Sequence, residues 1–348
     1  DKIFNAIRKQ LDEELIYSYQ YPTNIRDRFT EKLMAISPSY FEKLVLMNTG
    51  SEATDIAYKL IKLWGKKNKR KYIITFEGNY HGRTLGSELL GGTKNSASWS
   101  NIVDEDIIFL KFPFNPDEKF DLSLLPPADE ICAFFLETYQ GWGSWFYPQD
   151  YINSIYDLCK KNNILFCVDE VQAGFYRMGT LYGYMTYGKH IEPDLICVGK
   201  GLTSSLPMSA VLAKEDIIDV DESANLSGSH AGNTLCCAAG YANLEFLSDK
   251  RFQKELKEKT KLFVQLNEKL NKFNIVEQVN VRGMVSGIIT KDDNSATEIT
   301  MKLVDKGILP VWTHRNSVKL GPPLTISKEA IIEAMNVIYN TIEEISNE

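Results

Sequence analysis

Ile164-Leu165-Phe166-Cys167-Val168-Asp169-Glu170-Val171-Gln172 and Leu195-Ile196-Cys197-Val198-Gly199-Lys200-Gly201 decide how this chain is read. Each is a short apolar run with polar residues only at its carboxyl end, the pattern of a strand buried on both faces. Glycines at Gly174, Gly179 and Gly183 punctuate the stretch between them. Open α/β sheets hold their ligands beyond the carboxyl ends of the strands. The first run delivers an acid there, and the second a lysine held between two glycines. Such a lysine is oddly placed for a solvated charge and well placed to meet a carbonyl. Plainer readings exist for each residue alone, Asp169 as a cap of the strand end and Lys200 as a surface lysine. A phosphate-binding loop does not fit. It needs a glycine five residues before Gly199 and Ser or Thr after the lysine, where the chain has Asp194 and Gly201.

Outward from this stretch, apolar runs alternate with helical patterns. Helices are expected over 1–16 and 26–36, a strand over 43–47, and a helix over 51–65. The last begins at Asn48-Thr49-Gly50-Ser51-Glu52-Ala53. Backbone amides at a helix start, with the dipole behind them, suit a phosphate, although a simple Ser cap has the same pattern. A strand over 72–76 leads into Glu77-Gly78-Asn79-Tyr80-His81-Gly82-Arg83-Thr84. Its glycines make no dinucleotide fingerprint. Tyr80 sits in a turn where its ring can lie against another ring, and His81 reads as a structural hydrogen-bonding residue. Residues 92–129 are polar with one strand over 107–110. Then a strand over 131–136 ends at Glu137, and a helix over 149–162 returns to the central run, the βαβ pattern of a mostly parallel sheet. A strand over 209–213 follows, then Ser227-Gly228-Ser229-His230-Ala231-Gly232-Asn233-Thr234 ahead of a small-residue helix. From residue 249 the texture becomes a charged helix, four short strands, Gly321-Pro322-Pro323-Leu324 and a final helix from 327, read as a smaller α+β domain.

With 348 residues, 44% of them hydrophobic, the chain can bury a large core. The net charge of −7 argues against a nucleic-acid surface. The basic run 250–261 has acids mixed in at helical spacing, which makes a solvated helix face. No stretch of 18 apolar residues is present, so no membrane span is expected. The six cysteines show neither zinc nor CxxC spacing and read as reduced, buried residues of a cytoplasmic protein. No signal-peptide pattern is visible, and the chain starts at Asp1 without a Met.

The run Phe166-Cys167-Val168-Asp169-Glu170-Val171-Gln172-Ala173-Gly174-Phe175-Tyr176-Arg177, with Pro193-Asp194 and Gly199-Lys200-Gly201 after it, resembles the signature of class III pyridoxal-phosphate aminotransferases. Other segments extend the resemblance over nearly the whole chain. It implies an α/β fold of fold type I, with a mostly parallel central sheet flanked by helices and a smaller C-terminal α+β domain. The expected division is a helical segment over 1–28, a large cofactor domain over 29–248 and a small domain over 249–348. Family members usually carry a further segment ahead of the helix that residues 1–15 resemble.

The implied cofactor is pyridoxal 5'-phosphate, and no metal is expected. The resemblance makes Lys200 the residue that forms the Schiff base and carries the proton, and Asp169 the partner of the pyridine nitrogen. It places Gln172 on the ring hydroxyl oxygen, Tyr80 on the pyridine face, Gly50 and Ser51 on the phosphate, and Glu137 behind them in support. Ser229 stands where the family has Thr and would contact the phosphate of a neighbouring subunit in a homodimer. His230 replaces an aromatic and Thr234 a Pro. The expected activity moves an amino group from a donor to an aldehyde or ketone acceptor. Two alternatives share the fold. A racemase, epimerase or aminomutase would use the same Lys200, Asp169 and Gln172, and an inactive scaffold would need none of them. Members acting on ornithine or γ-aminobutyrate carry an acid just after Gln-Gly and an Arg just before Pro-Pro-Leu. Here those positions are Trp142 and Lys319, which implies a bulkier, cyclic or sugar-like partner. The plainer expectation has Trp142 in the core and Lys319 facing solvent.

Overall fold

Continuous apolar runs become strands sealed on both faces, and this is how the chain builds its main sheet. The computed structural model describes residues 1–19, 21–92 and 95–347. Two positions of the polar stretch 92–129 and the last residue of the expected small domain therefore lie outside the described residues. Along the chain the strands are β1 (Lys43–Met47), β2 (Tyr72–Phe76), β3 (Ile107–Leu110), β4 (Ile131–Glu137), β5 (Tyr139–Gln140), β6 (Trp145–Phe146) and β7 (Leu165–Asp169). They continue with β8 (Leu195–Val198), β9 (Ser209–Ala213), β10 (Val276–Arg282), β11 (Val285–Thr290), β12 (Val311–Trp312) and β13 (Ser317–Leu320).

The chain divides into two compact units. The first holds Asp1–Thr138, Tyr147–Phe175 and Tyr184–Asp249, and the second Tyr139–Phe146, Tyr176–Gly183 and Lys250–Glu348. The first unit thus includes residues 1–28, while two short excursions of the chain belong to the second.

In the first unit seven strands lie in the order β1-β9-β8-β7-β4-β2-β3. The pairs β8–β7, β7–β4, β4–β2 and β2–β3 are parallel, and β9 is antiparallel to both β8 and β1. Every residue of β4, β7, β8 and β9 is buried, as a sheet covered on both faces requires. Helix Gly50–Asn68 lays Ala53, Ala57, Leu60 and Trp64 into a core with Ile73, Cys132, Phe135, Cys167 and Cys197. All six cysteines are free and buried, and burial pushes each thiol above its ordinary value, which makes them packing residues. The first helix is shorter than its periodicity suggests, Lys2–Asp12. The carbonyls just beyond it are taken elsewhere, Leu15 O by Gln10 Nε2 and Thr234 Oγ1, and Ile16 O by Asn233 Nδ2. Register decides the rest. Glu137 pairs with Asp169, and Asp169 with Cys197, so β4, β7 and β8 end side by side.

The second unit is an antiparallel sheet, β10-β11-β13-β12, with helices Lys250–Glu268, Asp293–Asp305 and Lys328–Asn347. The hairpin β5–β6 belongs to it, with Asn280 Nδ2 donating to Gly143 O at 3.0 Å. Arg177 Nη1 donates to Met284 O at 2.8 Å and Pro322 O at 2.6 Å, fixing the Gly-Pro-Pro turn from one side. Buried Lys259 fixes it from the other through Leu324 O at 2.9 Å. Among the described residues no helix is long and apolar enough to cross a membrane.

Candidate active site

At the level carboxyl ends of β4, β7 and β8 in the first unit lies a cavity of about 140 Å³. Gly50, Ser51, Tyr80, Glu137, Asp169, Gln172 and Lys200 all line it, with His81, Gly82 and Val171 completing the wall. Ser229 is absent from this lining and sits in an exposed turn.

Asp169 is held at both oxygens. Oδ1 accepts from Val171 N at 2.9 Å, and Oδ2 faces His81 Nδ1 at 2.8 Å. Both side chains are almost fully buried. A carboxylate kept this dry needs such partners. On the neighbouring strand, Glu137 Oε2 accepts from Tyr80 N at 2.9 Å and so fixes the turn carrying the aromatic ring. Tyr80 is half exposed. The Arg83 guanidinium lies 5.1 Å from its ring centroid, a cation–π contact on one face that leaves the other for stacking.

The opposite wall is a helix start. Thr49 caps helix Gly50–Asn68 with a full capping box, Oγ1 accepting from Glu52 N at 3.2 Å. The Glu52 carboxylate returns to Asn48 N and Thr49 N at 2.7 and 2.9 Å. The amides of Gly50 and Ser51 take no part in this box, and both residues line the cavity. Ser51 Oγ accepts from Arg83 N at 3.1 Å, so its hydrogen is available to another acceptor. Gly82 makes that contact possible. Its φ of +134° is a glycine conformation, and a Cβ there would collide with Ser51 Oγ.

Lys200 follows β8 at φ +37°, in the left-handed region that a lysine seldom occupies. The turn holding it there is fixed by hydrogen bonds. Leu202 N donates to Gly199 O at 2.8 Å, and Asn243 Nδ2 reaches Gly201 O at 2.7 Å and Leu202 O at 3.1 Å. A side chain at Gly201 would press on Phe175 Cβ at 3.0 Å. The backbone strain is local and aims an exposed amine from the strand end.

Sequence reading did not foresee three of these features: the His81–Asp169 pair, the tie from Arg83 to Ser51, and the Asn243 brace. The adjacency of His81, Gly82 and Arg83 to Tyr80 is the one local signal that pointed toward the first two.

Residues 1–342 match the family described as aminotransferase class-III. The chain belongs to that family. Ornithine aminotransferase from Plasmodium yoelii yoelii is 31% identical over 353 residues, covering 98% of this chain and 83% of the relative. Acetylornithine aminotransferase from Caldanaerobacter subterraneus subsp. tengcongensis is 32% identical, covering 99% and 86%. Among solved structures, the adenosylmethionine-8-amino-7-oxononanoate aminotransferase from Methanocaldococcus jannaschii superposes with a TM-score of 0.88 at 27% identity, covering 99% of this chain and 85% of that one. The class-III fold is therefore the fold type I arrangement, a mostly parallel sheet flanked by helices plus a smaller unit. The enzyme is a transaminase whose cofactor is pyridoxal phosphate, and the family match favours neither the racemase nor the scaffold alternative. The cavity fits that cofactor. It offers amides at a helix start for a phosphate, an ordered buried carboxylate for a ring nitrogen, an exposed ring for stacking and an amine for an aldehyde.

In the second unit lie Lys319 and Trp142, the two positions expected to bear on substrate choice. Lys319 lies on β13 and is only 6% exposed, so the expectation that it faces solvent is corrected. Its Nζ is 5.7 Å from the Tyr139 ring centroid. Trp142 Nε1 donates to Gln140 Oε1 at 3.0 Å, and the Arg315 guanidinium lies 4.5 Å from the Trp142 ring.

Proposed function

We propose that the cavity of the first unit moves an amino group from a donor to an aldehyde or ketone acceptor, with Lys200 as covalent anchor and proton carrier. The observation that carries this reading is the convergence of Lys200, Asp169 and the start of helix Gly50–Asn68 on one cavity. Bound pyridoxal phosphate supplies the electron sink that lets the C–H bond beside the substrate amine ionise. Lys200 Nζ would anchor the cofactor aldehyde and, once freed from it, would hold the proton leaving the substrate carbon and hand it back. Asp169, its two oxygens already ordered by Val171 N and His81 Nδ1, would hold the ring nitrogen. Gly50 and Ser51 would donate to the phosphate and Gln172 to the ring hydroxyl oxygen, and the face of Tyr80 that Arg83 leaves open would stack on the cofactor ring. Glu137 holds Tyr80 in place. A single-turnover half-reaction against a panel of amines, read by loss of the bound-cofactor absorbance, tests the assignment. No change with any amine would overturn it.

The exposed Ser229 turn supports a homodimer with shared sites. Its base is fixed by Arg26 Nε donating to Gly232 O at 3.0 Å, and Asn233 Oδ1 caps helix Thr234–Leu247. The hydroxyl is thus presented outward on a braced turn. Ser229→Ala is expected to weaken cofactor binding by about 1–3 kcal/mol, the range for leaving a buried polar partner unpaired. Mixed dimers of Ser229→Ala and Lys200→Ala subunits give the sharper result. With the contact in trans, one site carries both lesions and the other neither, so activity reappears at near wild-type cofactor affinity. An active monomer in sedimentation would rule the arrangement out. The six free, buried cysteines suit a reducing compartment, and we infer a cytoplasmic enzyme.

For the substrate, Trp142 and Lys319 replace the acid and Arg of ornithine-type members. A lysine is a point charge where arginine is a planar fork, and Trp142 cannot neutralise it. We propose a bulky, cyclic or sugar-like oxo partner. The competing reading is an ornithine-type amine, favoured by the ornithine and acetylornithine aminotransferases at 31% and 32% identity. Trp142→Ala is expected to raise KM for the true acceptor while sparing cofactor attachment. Turnover of ornithine or γ-aminobutyrate faster than any cyclic compound would decide for the competing reading.

A further inference from the structure

No residue of the segment Tyr139–Phe146, which carries hairpin β5–β6, is charged. Basic side chains of the second unit nevertheless lie against three of its rings. Lys319 Nζ is 5.7 Å from the Tyr139 centroid, the Arg315 guanidinium 4.5 Å from Trp142 and the Arg282 guanidinium 4.4 Å from Phe146. In a chain of net charge −7, this gathers cations on one aromatic hairpin. Arg315 differs from Lys319 in being exposed, and it sits in the turn between β12 and β13. That turn is braced. Ser317 N donates to Arg315 O at 2.7 Å, Asn316 Nδ2 to Thr290 O at 3.0 Å, and Thr290 N to Asn316 O at 2.9 Å. Ser317 Oγ then ties the turn to Trp142 O at 3.0 Å. Trp142 is fixed in its own turn through Gln140 Oε1.

We propose that Arg315, presented on the Trp142 ring, is a specificity-determining residue that selects oxo partners carrying an oxyanion, a carboxylate or a phosphate. A carboxylate at position 142 would take this guanidinium in an ion pair. The indole attracts the same charge through its face and offers it no acceptor oxygen. A ring contact uses none of the guanidinium's N–H donors, and their planar fork matches the paired oxygens of a carboxylate or phosphate. Trp142 meanwhile gives the apolar body of the same molecule a flat surface. Both turns are ordered before a ligand arrives, so little freedom is lost on binding. The inference rests on the reading in which position 142 bears on substrate choice, and extends it from the bulk of the partner to its charge.

The experiment loads the enzyme with pyridoxamine phosphate and follows return of the aldehyde-form absorbance on adding oxo compounds. Cyclohexanone, 4-oxocyclohexanecarboxylate and 4-oxocyclohexyl phosphate make one set, and butanal with succinic semialdehyde a linear pair. The unmodified protein is expected to favour charged members. Arg315→Ala should lower the charged-to-neutral ratio of second-order rate constants by about 10- to 100-fold, mostly through weaker saturation. Arg315→Lys keeps the charge without the planar fork and should fall between. Whichever charged ring is favoured tells carboxylate from phosphate. Calorimetry with unreactive cyclohexanecarboxylate and cyclohexyl phosphate reads binding without turnover, and the favoured anion should lose affinity by a similar factor in Arg315→Ala. An Arg315-dependent preference in the linear pair, with no cyclic turnover, would remove the cyclic reading and keep this inference. Equal ratios or equal affinities in the unmodified protein and Arg315→Ala would overturn it, as would an unmodified protein that favours the neutral members.

Discussion

Lys200→Ala is expected to bind pyridoxal phosphate without becoming attached to it, and to lose turnover by about 10³-fold or more, since covalent anchor and proton carrier disappear together. Borohydride, which should fix the cofactor to Lys200 in the unmodified protein, should fix none in the variant. The local backbone makes this a clean comparison. At φ +37° alanine incurs much the same conformational cost as lysine. The hydrogen bonds holding the turn, from Leu202 N and Asn243 Nδ2, involve no Lys200 side-chain atom. The difference therefore reports the amine. Mass spectrometry of the reduced protein and steady-state rates check it, and a Lys200→Ala variant with near wild-type activity would end the proposed mechanism.

Asp169→Ala should be nearly as damaging, with kcat down by about 10²- to 10⁴-fold, because a preorganised charge facing the ring nitrogen is removed. Here the fold also suffers. The substitution strands Val171 N and His81 Nδ1, both of which donate to this carboxylate in a dry site. Each stranded group costs about 1–3 kcal/mol, so a drop in Tm should accompany the loss of rate. Asp169→Asn separates the two effects. It keeps the shape and one acceptor oxygen, so it should recover most of the Tm and little of the kcat. Asp169→Asn turning over within about 3-fold of the unmodified enzyme would show that charge at this position is not what the reaction uses.

How much could be read from the chain follows from where each signal is stored. Strands β4, β7 and β8 are legible because burial on both faces writes them as unbroken apolar runs, and their ends stand out because Glu137, Asp169 and Lys200 interrupt those runs. Tyr80 and the Gly50-Ser51 turn are legible because each departs from its surroundings within a few residues. The supporting contacts are not. His81 and Asp169 are 88 positions apart, Ser51 and Arg83 are 32 apart, and Asn243 and Gly201 are 42 apart. A hydrogen bond across such separations leaves no periodic trace. Lys319 leaves two readings open for a related reason. An isolated lysine on a short strand reads as an exposed charge, and only the fold of the second unit buries it near Tyr139.

The two excursions that leave the first unit's chain for the second also bear on how the protein is made. Hairpin β5–β6 and the segment Tyr176–Gly183 emerge from the ribosome early, yet the partners that hold them come far later. Asn280 binds Gly143 O, and Met284 and Pro322 offer the carbonyls that Arg177 needs. Until residues beyond 280 are synthesised, these hydrogen bonds within the second unit cannot form. Folding along the nascent chain thus cannot finish the first unit and then start the second. Truncation between the units, near residue 249, would release a fragment in which Arg177 has lost the carbonyls of Met284 and Pro322 and Gly143 O has lost Asn280, and such a fragment should aggregate where the intact chain does not.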